Sequence, residues 1–304
     1  MNELLKTLCS IHAPSGDEQA MTEYLLNYIQ ANKKSWKVSP EVYHGTDFQH
    51  CIILVFGTPR TAVFAHIDNI GFTVRYGKQL VKIGGPHVST GILLTGKDSK
   101  GSIECMLNAD DEEQLTYDFE REIDRGTTLN FKSHYREDAT AVESCYLDNR
   151  LGVYVSLKLC ETLEHGIIIF SCWEEHHGGS VPFLAKFIYD RYQLKQALIC
   201  DITWITEGVE HGKGVVVSMR DSGIPRQVFV RKIIQYLEEG NIPFQLEVEK
   251  SGGSDGSELQ RQPYPIDWCF IGAGEDFVHT PHERVFLIDI EAMIQAYSLL
   301  MKKL

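Results

Sequence analysis

The run Ile167-Ile168-Ile169-Phe170-Ser171-Cys172-Trp173 leads straight into Glu174-Glu175-His176-His177-Gly178-Gly179. An apolar, β-branched run reads as a buried strand. Carboxylates and imidazoles gathered at the end of such a strand are costly unless something pairs with them. A metal cluster would supply that pairing and leave one carboxylate as a base. The plain alternative is a polar loop that follows a core strand. Other segments are equipped in the same way. His66-Ile67-Asp68-Asn69 follows a β-like run at 61–65, and Asp148 opens a helix. Asp201 ends the run at 197–200, and His279 lies in a polar loop after a strand at 266–271. Singly, each has a bland reading: His66 a core histidine, Asp148 an N-cap, Asp201 a turn former, His279 a surface residue. Jointly they point to one edge of one sheet, because ligands in open α/β sheets sit beyond the carboxyl ends of the strands. Asp148, Glu174, Glu175 and Asp201 carry four negative charges, which two divalent ions would balance. A paired-metal hydrolase needs that balance, with ions about 3.5–4 Å apart sharing a carboxylate and a water.

The elements that would position these residues follow from pattern. A short helix at 2–10 is broken by His12 to Glu18, where Ser15 and Glu18 read as a capping box. The helix it opens carries Met21, Tyr24, Leu25, Tyr28 and Ile29 on one face. Two β-runs at 51–56 and 61–65, separated by Gly57-Thr58-Pro59-Arg60, read as a hairpin. From about 71 to 139, short β-like runs alternate with glycine-rich turns and no long helical pattern interrupts them, which predicts a small barrel. The acidic run from Asp110 through Asp111, Glu112 and Glu113 to Asp124 reads as a solvated face. Beyond Asp148, a helix with Leu151, Val155, Leu159 and Leu163 on its stripe precedes strand 167–172. A helix at 179–190 and strands at 197–200 and 215–219 follow. Pro225 suits the first turn of a helix to 239, and 244–249 alternates as a half-buried strand. Residues 251–256 form a tight loop, and 285–304 a closing amphipathic helix. This alternation predicts an α/β fold: a mostly parallel sheet flanked by helices, in residues 1–70 and 140–304, with an inserted all-β barrel module at 71–139.

Composition narrows the partners. A net charge of −13 over 304 residues argues against nucleic acid and anionic membrane, both of which need a positive surface. No run approaches the ~18 apolar residues of a membrane span, and the N-terminus lacks a signal-peptide layout. The eight cysteines show no C-x-x-C spacing and read as buried reduced thiols, so a cytoplasmic location is expected.

In its ordered set of motifs the sequence resembles the cocatalytic dimetal aminopeptidases, the family of glutamyl aminopeptidase, deblocking aminopeptidase and the tetrahedral aminopeptidases. Ala65-His66-Ile67-Asp68-Asn69-Ile70-Gly71-Phe72 matches the first metal motif, and Leu147-Asp148-Asn149-Arg150-Leu151-Gly152 the bridging-aspartate motif. Glu174-Glu175 matches the base-plus-ligand pair, and Asp201 the second aspartate ligand. Val278-His279-Thr280-Pro281-His282-Glu283 resembles the last histidine motif, and Gly252-Gly253-Ser254-Asp255 the glycine-rich loop. The resemblance implies a zinc-exopeptidase-like fold and a metal-dependent aminopeptidase. His66, Asp148 and Asp201 would hold one divalent ion, and Glu175, Asp148 and His279 a second. The metals are zinc in first expectation, with cobalt or manganese as alternatives. Asp68 would orient the His66 imidazole, and Glu174 would act as general base on a bridging water. The substrate would be a peptide with a free N-terminus. The inserted barrel would correspond to the family's dimerisation domain and so imply a homo-oligomer. His176 and His177 depart from the family pattern of a hydrophobic residue and a glycine, and we read them as solvent-facing.

Three rivals stay open at this point. One is a metal-binding relative without turnover. Another is a dimetal deacylase or carboxypeptidase using the same ligand types. The third is a serine hydrolase in which Gly252-Gly253-Ser254-Asp255-Gly256 supplies the nucleophile Ser254, followed by Asp276 and His279.

Overall fold

The computed structural model describes residues 3–110 and 114–304; Asn2, expected to open the first helix, and Asp111, Glu112 and Glu113 of the acidic run lie outside the described residues. Helices α1 (Glu3–Ser10) and α2 (Gln19–Asn32) lead into β1 (Glu41–Gly45), β2 (Gln49–Phe56) and β3 (Ala62–His66). Next come β4 (Gly71–Val74), β5 (Gln79–Ile83), β6 (Leu93–Asp98), β7 (Gly101–Ala109), β8 (Leu115–Asp118) and β9 (Thr128–Phe131). The chain continues through β10 (Arg136–Glu137), β11 (Ala141–Ser144), α3 (Leu147–Cys160), β12 (Gly166–Ser171), α4 (Val181–Tyr192) and β13 (Gln196–Trp204). It ends with β14 (Val215–Arg220), α5 (Gln227–Glu239), β15 (Phe244–Val248), α6 (Asp255–Gln260), β16 (Asp267–Asp276), β17 (Glu283–Phe286) and α7 (Leu287–Lys303).

The large sheet runs β1-β2-β12-β3-β13-β16-β17-β11-β10, with β14 and β15 branching beside β16. Its centre, β12-β3-β13-β16, is parallel, and antiparallel strands extend it on both sides. The central strands are buried on both faces, which is why Val63, Phe64 and 167–170 are apolar without alternation. Helix α3 is buried on nearly every side, with α1 and α7 packed against it and the sheet behind it. Strands β4 to β9 close into a separate six-stranded antiparallel barrel, in the order β4-β5-β8-β7-β6-β9, around Phe72, Leu94, Leu107 and Leu129. The protein is thus mixed α/β with an inserted barrel.

Two local expectations are corrected. Strands β2 and β3 do not form a hairpin: β12 lies between them, antiparallel to β2 and parallel to β3. Strand β2 instead hairpins with β1, pairing Glu41 with Val55. Both strands of the supposed hairpin are buried, so neither exposes the edge that a simple hairpin would have. Ser15 and Glu18 do not form a capping box either. Glu18 itself precedes α2 without a side-chain cap, and its Oε1 accepts from the Gly16 N–H at 2.7 Å. The Ser15 hydroxyl donates to Asp68 Oδ2 at 2.5 Å, so it ties the N-terminal segment to the end of β3.

One feature of the register makes room for a site. Strand β13 pairs with β3 only from Ala197 to Ile199, then stays with β16 to Trp204. The two central strands part just where β3 ends at His66. Asp201 therefore lies inside β13 rather than at its end, facing the gap.

Candidate metal centre

Each polar residue at the gap is delivered by a specific local device. His66 is the last residue of β3 and pairs in register with Ser171, the last of β12. Glu174 and Glu175 follow a sharp turn with Trp173 at φ 66°. Asp148 follows Tyr146 at φ 68°, and His279 itself sits at φ 65°. Positive φ is unusual for residues with side chains, and here it recurs at or beside three of the site groups.

The Asp148 turn is held from both sides. The next residue, Asn149, donates from Nδ2 to the Cys200 carbonyl at 2.8 Å and accepts from the Gly152 N–H at 2.8 Å. That fixes Asp148 against the strand that carries Asp201. A Cβ on Gly152 would lie 2.1 Å from the Cys200 carbonyl oxygen, so glycine permits this approach. Arg150, fully buried, donates to the Ile67 carbonyl and to Asn69 Oδ1. It fastens the same turn to the loop after His66. The motif at 147–152 thus links the three chain segments that meet at the gap.

Four contacts define the cluster. His66 Nε2 lies 3.2 Å from Asp148 Oδ1 and 3.6 Å from Asp201 Oδ2. His279 Nε2 lies 3.4 Å from Asp148 Oδ2 and 3.1 Å from Glu175 Oε2. Among the described residues, two groups could each hold one ion: His66, Asp148 and Asp201, and Asp148, Glu175 and His279. Asp148 belongs to both, offering one oxygen to each histidine. Ligands at ~2.0–2.2 Å around a tetrahedral zinc lie roughly 3.3–3.6 Å from one another, and the four contacts fall in or close to that range. Glu174 belongs to neither group; its Oε2 is 3.9 Å from His66 Nε2.

The electrostatics fit divalent ions. Burial pushes Glu174 well above the usual carboxylate range, Glu175 up to about 7 and Asp201 up to about 6. Burial would raise Asp148 as well, but hydrogen bonds from His279 and His66 bring it below its ordinary value. For both histidines burial opposes the charged form, yet the neighbouring carboxylates prevail. His66 rises well above its usual value through Asp201 and Asp148, and His279 rises to about 12 through Glu175 and Asp148. A cluster that holds protons so tightly has a demand for positive charge that metal binding would meet, with release of those protons. Glu175 Oε1, buried and without a hydrogen bond, is a further donor waiting for a partner. The residues present therefore fit a pair of divalent ions.

Support for the cluster comes from residues whose roles the sequence reading missed or saw only in part. Asp68 Oδ1 accepts from the Glu174 N–H and Oδ2 from the Glu175 N–H, each at 3.1 Å. Its Oδ1 is also 3.5 Å from His66 Nδ1. Asp68 thus clamps the backbone of the Glu pair as well as facing the imidazole. Burial would raise its pKa, but the His66 and Ser15 contacts hold it below the ordinary value, so it stays ionised. Glu283, fully buried, accepts from the His279 N–H at 3.1 Å and from the Asp148 N–H at 3.3 Å. One carboxylate therefore positions a ligand from each of two segments. Its place four residues after His279 was the only available signal.

The barrel reaches the site too. The His87 N–H donates to the His279 carbonyl at 2.9 Å, and His279 Nδ1 is 3.2 Å from the Gly85 carbonyl. The Gly84 N–H donates to His176 Nδ1 at 3.0 Å. His176 and His177 are solvent-exposed and in neither ion-binding group. His176 nevertheless joins the turn of the Glu pair to the barrel.

The serine-hydrolase constellation does not assemble. The Ser254 hydroxyl caps α6 by accepting from the Gly256 N–H at 3.2 Å. Asp276 pairs with His211 at 2.7 Å, not with His279.

The family model for M42 glutamyl aminopeptidase matches residues 102–296, about two thirds of the chain. The chain belongs to the M42 glutamyl aminopeptidase family. As a member it is a metal-dependent aminopeptidase, a hydrolase of peptide bonds. No curated protein matches the chain. Among solved structures, a TET aminopeptidase from Thaumarchaeota archaeon SCGC AB-539-E09 superposes with a TM-score of 0.86 at 18% identity, over 99% of this chain and 96% of that one. Aminopeptidase APDkam598 from Desulfurococcus kamchatkensis gives 0.85 at 19%, over 99% and 94%. The Pyrococcus horikoshii TET1 peptidase gives 0.81 at 22%, over 98% of each chain. At these identities the structural likeness speaks for the fold, and the family match for the M42 assignment.

Proposed function

We propose that this M42 member removes the N-terminal residue of peptides at a centre of two divalent ions. One would be held by His66, Asp148 and Asp201, the other by Asp148, Glu175 and His279. The observation that carries this reading is Asp148, whose two carboxylate oxygens face one histidine each. When bound, such a pair of ions supplies a water of lowered pKa and a Lewis acid for the scissile carbonyl. Glu174 stands beside both ligand groups without joining either. Its carboxylate takes the proton of the attacking water and returns it to the leaving amine. Burial, which raises its proton affinity, suits it to that exchange. Asp68 and Glu283 hold Glu174, Glu175, Asp148 and His279 in place through backbone N–H groups.

Nitrogen and oxygen donors together suit zinc, with cobalt and manganese as the alternatives. We assign homo-oligomerisation to the inserted barrel. This assignment draws on the TET1 peptidase of Pyrococcus horikoshii, which can assemble into a tetrahedron or a large octahedral shell. All eight cysteines are buried and free, which supports a reducing, cytoplasmic location. The reading is tested by Glu174→Gln. We expect metal content to be kept and kcat to fall by roughly 10²–10⁴-fold on aminoacyl amides. Unchanged turnover would remove Glu174 from the base role, and activity that survives complete chelation would remove the ions.

A further inference from the structure

The cavity at the metal centre extends beyond the groups that hold ions. It encloses about 300 Å³ and runs from Asp148, Glu174 and His279 to Asp221, Glu247 and Glu249. Strand β13 connects the two ends. Thr203 shares a face with Asp201, two residues and roughly 6.6 Å further along, and its hydroxyl donates to Glu247 Oε1. Glu247, on β15, is 4% exposed, with the Thr203 and Ser218 hydroxyls beside its carboxylate. Glu249 continues the same face and accepts from the Thr206 hydroxyl at 2.7 Å. Asp221, 7% exposed, follows the end of β14.

Arg220, next to Asp221 in the chain, lowers the proton affinity of that carboxyl but does not line the cavity. Two divalent ions would balance Asp148, Glu174, Glu175 and Asp201 and leave Asp221, Glu247 and Glu249 over. Among the described residues none of the three forms an ion pair, and no lysine or arginine lines the cavity. They are not a third ion site either. The two groups whose donors lie close enough to share an ion, among the described residues, include none of them. The three acids share the cavity with the reacting groups, so a cation carried by the substrate would enter from that end. Burial raises both Glu247 and Asp221, although hydrogen bonds from Thr203 and Gly223 oppose it.

Resting on the aminopeptidase reading above, we propose that this acidic end is the subsite for the side chain of the substrate's N-terminal residue and that it selects lysine and arginine. The apolar stem of either side chain would lie along Trp204, Phe270 and Val278, which line the passage. The ammonium or guanidinium would reach the three carboxylates. A glutamate or aspartate side chain would meet three like charges instead. The specificity named in the family's description, glutamyl, is thus the one that this cavity disfavours.

The test is a panel of lysine, arginine, leucine and glutamate p-nitroanilides with the metal-loaded protein. We expect kcat/KM for lysine or arginine to exceed glutamate by about 100-fold and leucine by about 10-fold, as a site built around dedicated polar groups discriminates. Glu247→Gln and Glu249→Gln should each lower the lysine-to-leucine ratio. Glu249 is half-exposed, so its variant is the safer of the two for folding. Free arginine should raise the melting temperature of the protein, and free glutamate should not. Fastest turnover of leucine or glutamate, or a ratio unchanged in both variants, would overturn the inference and leave the aminopeptidase reading intact. If no amide is cleaved by the metal-loaded protein, both fall.

Discussion

Asp68→Asn is a near-isosteric change that should disable the centre. Each Asp68 oxygen accepts one backbone N–H, from Glu174 on one side and Glu175 on the other, and Oδ2 also accepts from Ser15. An asparagine offers one carbonyl oxygen and one NH₂ group. Whichever way it is turned, the NH₂ faces a donor. One charge-assisted hydrogen bond, worth about 1.5–3 kcal/mol, is lost, and a largely buried N–H is left unsatisfied at about 1–3 kcal/mol. Because Asp68 is fully buried, water does not easily substitute. We therefore expect a loss of roughly 2–5 kcal/mol in unfolding free energy by urea titration. We also expect a drop of about 100-fold in kcat/KM, since a ~1 Å shift of the Glu174 turn costs that much. Ser15→Ala, which removes one hydroxyl and leaves both N–H contacts, should cost far less. Wild-type stability and turnover in Asp68→Asn would refute the clamp, as would equal losses in the two variants.

Other predictions follow from the same contacts. Asp148→Ala removes the residue common to both ligand groups, so metal analysis should find both ions lost; loss of one alone would mean that the carboxylate is not shared. Glu283→Gln places an NH₂ against either the His279 or the Asp148 N–H, and should weaken metal binding about 10–100-fold in a titration with chelator competition. Glu18 is fully buried, and burial raises it to about 7 despite the Gly16 hydrogen bond. Its protonated form stabilises the fold below the unfolded value of about 4.5, and that contribution is lost as pH rises through about 7. Glu18→Gln, which never ionises, should therefore gain on the wild type by on the order of 3 kcal/mol between pH 5 and pH 8. Urea midpoints whose difference does not change with pH would contradict this.

Much of the molecule is legible in the chain because the signals are local. The β-branched run at 167–170 and the apolar run at 197–200 announce central parallel strands, and the short runs after Gly71 announce the barrel. The motif residues around His66, Asp148, Glu174 and His279 stand out because acids and imidazoles seldom end buried strands. What fails is what depends on non-local order. Nothing in 51–65 says that β12, a hundred residues later, will insert between β2 and β3. The six residues 244–249 alternate, and period two alone would bury their apolar face. The structure does the reverse: Glu247 is 4% exposed and Val248 69%. An edge strand can turn its polar face to a cavity and its apolar face outward, and only the cavity's position decides which. Glu283 and Ser15 escaped for a related reason, since each acts through a contact with a residue from a distant segment.

In the proposed centre one carboxylate, that of Asp148, serves two ions. The most direct test of this is anomalous diffraction from crystals of the protein loaded with zinc. Two peaks about 3.5–4 Å apart are expected, with Asp148 in contact with both, His66 and Asp201 on one, and Glu175 and His279 on the other. A single peak, or two peaks that do not share Asp148, would contradict it.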